Sequence, residues 1–230
     1  MIPNQNGLRC KRALEKLHYQ PPSAPLTILH ADADLLVVDK PSGLLSVPGK
    51  AAEHADCLET RMRNIYPDTL LVHRLDMDTS GVMVFARNKS AQRHLGLQFE
   101  KRQMQKTYHA IVAGIVRDDT GLVDLPLIVD WPNRPLQKVD LETGKPAQTE
   151  WRVRSRSHNS TYVELYPKTG RSHQLRVHML AIGHPILGDR FYGDSDVISR
   201  MDRLALHASM LRLRHPTGGA WCEFIAKSPF

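Results

Sequence analysis

A short polar insert between two apolar runs constrains this chain more than any other stretch. Leu70, Leu71 and Val72 lead into His73-Arg74-Leu75-Asp76-Met77-Asp78-Thr79-Ser80-Gly81, and Val82-Met83-Val84-Phe85-Ala86 follows. The second run is rich in β-branched and aromatic residues, so it reads as a buried strand. Asp78, Thr79 and Ser80 form a turn before it, and Gly81 marks its start. Arg74 and Asp76 therefore sit on a tight connection between two buried segments, where the core fixes the direction of charged groups at its rim. A carboxylate beside apolar strands is costly when unpaired, and a nearby arginine offsets the cost. From these residues alone, a structural Arg–Asp pair closing a strand turn and a functional pair explain the pattern equally well.

With 230 residues, 41% hydrophobic and 24% charged, the chain is long enough for one sizeable core and falls outside the disordered range. A basic arm over residues 1–24, carrying Arg9, Lys11, Arg12 and Lys16 before Pro21-Pro22, and a single domain over 25–230 are expected. The formal charge of +7 favours a polyanionic partner. Three widely spaced cysteines, Cys10, Cys57 and Cys222, form neither a disulfide framework nor a Cys-x-x-Cys pair. No window has the length of a membrane-spanning helix and the N-terminus has no apolar signal core. A cytoplasmic protein is expected.

Along the chain, Leu26 to Leu29 and Leu35 to Val38 read as strands across the Asp32-Ala33-Asp34 turn, followed by the turn Asp39-Lys40-Pro41-Ser42-Gly43. No P-loop ending is present. Residues 57–66 predict a helix with Leu58, Met62 and Ile65 on one face. Ser90 is the expected cap of a second helix reaching Arg102, with Leu95 and Phe99 inward and Lys89, Arg93, Lys101 and Arg102 forming a basic face, read first as solvated and second as an RNA-backbone contact. Residues 106–112 alternate as a strand containing Tyr108. Residues 121–148, with Asp130-Trp131-Pro132-Asn133-Arg134-Pro135, predict a long surface loop or hairpin, and Arg134 and Lys138 make it a candidate RNA contact. Residues 149–156 and 161–166 alternate as a hairpin with one solvated face. Ser172 is the expected cap of a helix with Leu175, Met179 and Ile182 inward, ended by Gly183. The twelve histidines show no zinc-type spacing: His173 and His178 lie five apart, on different helical faces. No metal site is expected.

Three segments carry a family resemblance. His73-Arg74-Leu75-Asp76, two residues, then Thr79-Ser80-Gly81 and an apolar strand resembles the signature of the RluA family of RNA pseudouridine synthases. Thr169-Gly170-Arg171-Ser172-His173-Gln174-Leu175-Arg176-Val177-His178 resembles a second family motif, and Ala205-Leu206-His207-Ala208 a third. Asp39-Lys40-Pro41 resembles an upstream Asn-Lys-Pro, with aspartate in place of asparagine. The likeness spans residues 35–208. It implies an α+β pseudouridine synthase fold: a mixed, mostly antiparallel central sheet with helices and loops around a cleft. The arrangement expected is core-only, with no S4-type domain ahead of it.

The resemblance implies an isomerase that breaks the glycosidic bond of a uridine, rotates the base and rejoins it through carbon five, without a cofactor. It implies Asp76 as the carboxylate beside the ribose, Arg176 as its cation and Tyr108 against the detached base. Leu206 would wall the pocket, Arg171 would hold phosphate, Arg74 would fill the gap left by a flipped base, and His73 joins the substrate-binding set. The short architecture with the Asp130–Pro135 loop resembles members acting on both a 23S rRNA loop and a tRNA anticodon stem-loop, as a monomer. The alternatives are a synthase for one of these RNAs and a non-catalytic RNA-binding or chaperone protein. A metal-dependent ribonuclease would need clustered acidic ligands, which the sequence lacks.

Overall fold

A strand that is apolar at every position must be covered on both faces. Two such runs form β2 (Leu35–Lys40) and β4 (Ser80–Ala86), antiparallel neighbours inside a ten-stranded sheet. Their side chains divide by the period of two. Leu35, Val37, Val82, Val84 and Ala86 enter one core with Leu95 and Leu213, whereas Leu36, Val38, Met83 and Phe85 enter another with Leu58 and Met62. The computed structural model describes residues 19–230. Most of the expected basic arm, residues 1–18, lies outside the described residues. Of its remainder, Tyr19 donates to the Asp56 carbonyl and accepts from Leu45 N–H.

The sheet runs β1 (Thr27–Ala31), β2, β4, β11 (Leu206–Arg214), β5 (Gln105–Ala113), β10 (Ser160–Pro167), β9 (Gln148–Arg156) and β6 (Thr120–Asp124). The short β3 (Leu70–Leu71) pairs with β4, and β12 (Trp221–Ile225) with β11. Among the described residues only β4 and β11 pair in parallel; the other strand pairs are antiparallel, in keeping with the expected α+β class. That parallel contact positions the site. Ala208 stands opposite Gly81 on one side and opposite Tyr108 on the other. The turn before β4, the start of β11 and the middle of β5 thus meet at one level of the sheet. Gly81 has φ +112°, and a Cβ there would lie 2.2 Å from the Ala208 carbonyl oxygen, so the strands can approach only with glycine.

Several sequence expectations are corrected by local hydrogen bonding. Helix α1 (Leu58–Ile65) buries Leu58 and Met62, but Ile65, on its last turn, is 59% exposed. Helix α2 (Lys89–Glu100) is capped by Asn88, whose side chain accepts from Ala91 N–H, and not by Ser90. Helix α3 (Gln174–Ala181) begins after His173 with no side-chain cap, so Ser172 does not cap it. Gly183, at φ +85°, does end the α3 segment. For residues 121–148 the hairpin alternative holds and the loop one does not. Their first part belongs to β6, and β7 (Leu127–Val129) and β8 (Gln137–Val139) form a separate two-stranded hairpin bearing Arg134 and Lys138. A short helix α4 (Ser195–Ser199) precedes β11.

Candidate active site

Residues 75–79 are held from beneath by the end of β2. Lys40 is fully buried and its ammonium donates to the carbonyls of Pro41, Met77 and Thr79 at 2.9, 2.8 and 2.9 Å. Ser46 Oγ donates to Leu75 O and accepts from Leu75 N–H, and Ser42 Oγ donates to Asp78 O. Asp78 lies on the turn, as the spacing of glycine and hydroxyl residues implied.

Burial pushes the Lys40 ammonium down to about 7, against the attraction of Asp78 and Asp76. Its folded-state value lies below the unfolded one, so the unfolded chain binds more protons between about pH 7 and about pH 10.4. The Lys40 contribution to stability therefore rises with pH through that window. We expect Lys40→Met to cost about 2 kcal/mol through the carbonyls it leaves without a donor. Denaturant titrations across the same window should also show a flatter rise in stability for the variant.

Asp76 projects from this clamped turn toward α3. Arg176 Nη1 lies 3.8 Å from Asp76 Oδ2, and the same guanidinium makes a bidentate pair with Asp189 at 2.8 and 2.6 Å. Arg176 and Asp189 are 2% and 1% exposed. Burial opposes the Arg176 charge, but the hydrogen bonds and attraction of Asp189, with Asp76 adding to them, outweigh it and raise the pKa above the ordinary arginine value. Phe191 and Tyr192 lie against the guanidinium at 5.0 and 5.2 Å, ring centre to Cζ. Asp189 also accepts from the backbone N–H groups of both aromatics, which fixes its orientation.

His173 stands on the other side of Asp76, with Nε2 4.0 Å from Oδ2. The Tyr192 hydroxyl accepts from Gln137 N–H at 2.9 Å and lies 2.7 Å from His173 Nδ1. With the tyrosine donating to Nδ1, the imidazole proton resides on Nε2 and faces the carboxylate. Burial lowers the His173 pKa, opposed by Asp76, so the ring is neutral at pH 7. Its backbone is left-handed at φ +53°, an uncommon conformation for a residue other than glycine.

Asp76 lines two connected cavities. On one side is a cleft of about 1270 Å³ bordered by the 41–49 loop, Arg74, Arg190 and Arg203. On the other is a niche of about 250 Å³ lined by Tyr108, Leu206, Phe99 and Thr169. Burial, with the Asp76 charge adding to it, pushes the Tyr108 hydroxyl well above the usual tyrosine range, so it carries its proton at pH 7.

The structure therefore brings together Asp76, Tyr108, Arg176, Leu206, Arg171, His73 and Arg74 around the niche. Arg74 is exposed and borders both cavities. His73 is committed to structure: Nε2 accepts from Val84 N–H at 3.0 Å and the ring stacks on Phe99. Burial, with Lys106 nearby, lowers its pKa to about 3. Arg134 and Lys138 stand apart on the exposed hairpin, which reaches the cleft through Pro135; Arg134 stacks over Trp131 at 4.2 Å. Asp189, Tyr192, Lys40 and His173 had no place among the expected site residues. Asp189 lies in the Gly188-Asp189 pair and Lys40 in the Lys-Pro pair, each within a family-like stretch, but pairing across the fold has no sequence signature. Among the described residues, no group of three or more His, Cys, Asp or Glu side chains is arranged to hold a metal.

A carboxylate between a base-sized apolar niche and an arginine-bordered cleft is the arrangement of an enzyme acting on a nucleotide drawn out of a polyanion. Residues 34–181 match the RNA pseudouridylate synthase family, and the chain belongs to the RluA family of RNA pseudouridine synthases, isomerases that convert uridine in RNA to pseudouridine. It is 55% identical over 215 residues to the dual-specificity RNA pseudouridine synthase RluA of Escherichia coli (strain K12), covering 93% of this chain and 98% of that protein. The RluA of Vibrio vulnificus (strain CMCP6) is 52% identical over 206 residues, 87% of this chain and 82% of that protein. Among solved structures, human RNA pseudouridylate synthase domain containing 1 superposes with a TM-score of 0.76 at 29% identity, covering 92% of this chain and 87% of that one.

Proposed function

We propose that this isomerase acts on uridines in both a 23S rRNA loop and a tRNA anticodon stem-loop, with Asp76 as its catalytic carboxylate. The observation that carries the assignment of Asp76 is its place between cleft and niche, 3.8 Å from a guanidinium that a second carboxylate holds in place. The dual specificity rests on the relatives named dual-specificity enzymes. The reaction conserves atoms: the C1′–N1 bond breaks, a C1′–C5 bond forms, the C5 proton leaves and N1 gains one. No external oxidant or group donor enters that balance.

A stacked uridine must first leave the helix or loop. Arg74, exposed between the cavities, fills the space it vacates, and Arg171 takes phosphate at the rim of the niche. The base enters the niche between Tyr108 and Leu206, which brings its ribose to Asp76. Asp76 then attacks the sugar or takes a proton from it, while Arg176 stabilises the carboxylate without competing for the substrate, since its other edge is occupied by Asp189. The Tyr108 hydroxyl serves the C5 proton, directly or by relay. His73 acts by setting the niche wall, and Arg134 and Lys138 meet RNA beyond the flipped nucleotide. The chain acts as a cytoplasmic monomer.

The test is tritium release from carbon-five-labelled uridine in an unmodified anticodon stem-loop and in a 23S rRNA fragment. Release from both supports dual specificity, and release from one narrows it. Binding without release from either would leave an RNA-binding protein. In the same assay Tyr108→Phe should keep RNA affinity and lose roughly 10²-fold or more in single-turnover rate. Full turnover by that variant removes the proton role.

A further inference from the structure

Next to the niche, and sharing no lining residue with the large cleft, a second groove of about 1120 Å³ runs between the C-terminal end of α2, the start of β5 and the 166–171 segment at the end of β10. It shares Phe99, Lys106, Pro167, Thr169, Gly170 and Arg171 with the niche, so the two adjoin. Its lining holds five cations against two carboxylates. Lys168 pairs with Glu150 at 2.7 Å. Arg102, Lys106 and Arg152, by contrast, have no ion-pair partner among the described residues. Cations left without an ion-pair partner repel one another, and Arg102 adds to burial in lowering the Lys106 pKa. Such a cluster is relieved by a bound anion. Phe99, Met104, Tyr166 and Met210 supply apolar surface in the same groove.

Arg102 adds an independent observation. Its φ of +56° makes it, with His173, one of two residues other than glycine in the left-handed region among the described residues. It follows α2 where the turn closes through Arg102 N–H to Phe99 O and Gln103 N–H to Gln98 O. Glycine is the usual residue at such a helix end, and another residue there costs of order 1 kcal/mol. Arg102 is thus an exposed cation in a strained backbone conformation, lining a groove that holds two further cations without ion-pair partners. The sequence placed Arg102 on a basic face, solvated or in contact with an RNA backbone, together with Lys89 and Arg93; the fold separates it from those two, which lie outside the groove.

We propose that this groove binds the single-stranded RNA flanking the flipped uridine, with Arg102 and Arg152 on its phosphates and the apolar floor under its bases. Mixed cationic and stackable surface is what an unpaired strand recognises, and the residues shared with the niche place the groove next to the target nucleotide. The proposal rests on the reading of Asp76 and Tyr108 as the uridine site.

The experiment measures affinity for the anticodon stem-loop and the rRNA fragment over a salt series, alongside tritium release, for wild type, Arg102→Gly, Arg152→Ala and Arg93→Ala. Arg102→Gly removes the charge while relieving the backbone, so its thermal stability should equal or exceed that of wild type and misfolding cannot explain a loss. Each of Arg102→Gly and Arg152→Ala should weaken binding roughly fivefold at 0.1 M salt and reduce the salt slope by about 0.7, with the loss falling on KM. Arg93→Ala, outside the groove, should keep the wild-type slope. Wild-type turnover with an unchanged slope in Arg102→Gly overturns the groove and leaves the uridine site standing. Wild-type failure to release tritium from either RNA overturns the site itself.

Discussion

Asp76→Asn should bind the stem-loop RNA as tightly as wild type and release no tritium above background, a loss of roughly 10⁴-fold or more. The substitution preserves size and leaves Arg176 with its bidentate partner Asp189, so the fold has no reason to yield. What disappears is the negative charge 3.8 Å from Arg176 Nη1 and 4.0 Å from His173 Nε2, the only part of Asp76 that can attack the ribose or accept its proton. On the proposed reading binding is carried by arginines at the rims of the cavities, and it should survive. If Asp76→Asn retains a tenth of the wild-type rate, the carboxylate is not the reacting group.

Asp189→Asn should produce the largest stability loss of any single polar substitution at the site. Arg176 is 2% exposed, and its remaining acidic neighbour would be Asp76 at 3.8 Å, beyond hydrogen-bond distance. Removing one member of a buried ion pair strands the other charge and costs about 3–5 kcal/mol, which for a chain of this size lowers Tm by roughly 10 °C. Arg176→Met combined with Asp189→Asn removes the stranded charge and should recover most of that loss in calorimetry, yet remain inactive. Recovery separates the cost of a buried unpaired charge from the loss of a packing contact. If the double variant is no more stable than Asp189→Asn, packing around Phe191 and Tyr192 is the cause.

The two central strands were legible because a fully apolar run admits few fates, and β2 and β4 bury every second residue into opposite cores. Helix ends were less legible. Ser90 and Ser172 are good capping residues by type, but Asn88 takes the first role, and the α3 start has no side-chain cap. Capping depends on which residue has extended backbone when the helix turns, and that is set by where the preceding strand stops. Residues 121–148 read as loop or hairpin without a choice between them, because β7 and β8 have three residues each, too few to show alternation. Arg102 read as one of several wet cations, since its left-handed backbone and its separation from Arg93 are properties of the folded helix end.

By itself the sequence determined the family, the class of sheet, and which local segments line the niche, because the segments around Asp76, Arg176 and Leu206 are local patterns of consecutive residues. Tertiary structure alone decided how those segments meet. The parallel pairing of β4 with β11 sets Gly81, Ala208 and Tyr108 side by side. Asp189 comes to face Arg176, and Lys40 comes to hold the turn of Asp76. Those contacts join residues far apart in the chain, and their partners are selected by burial: a charge or a carbonyl removed from water must be matched by whatever the fold brings to it.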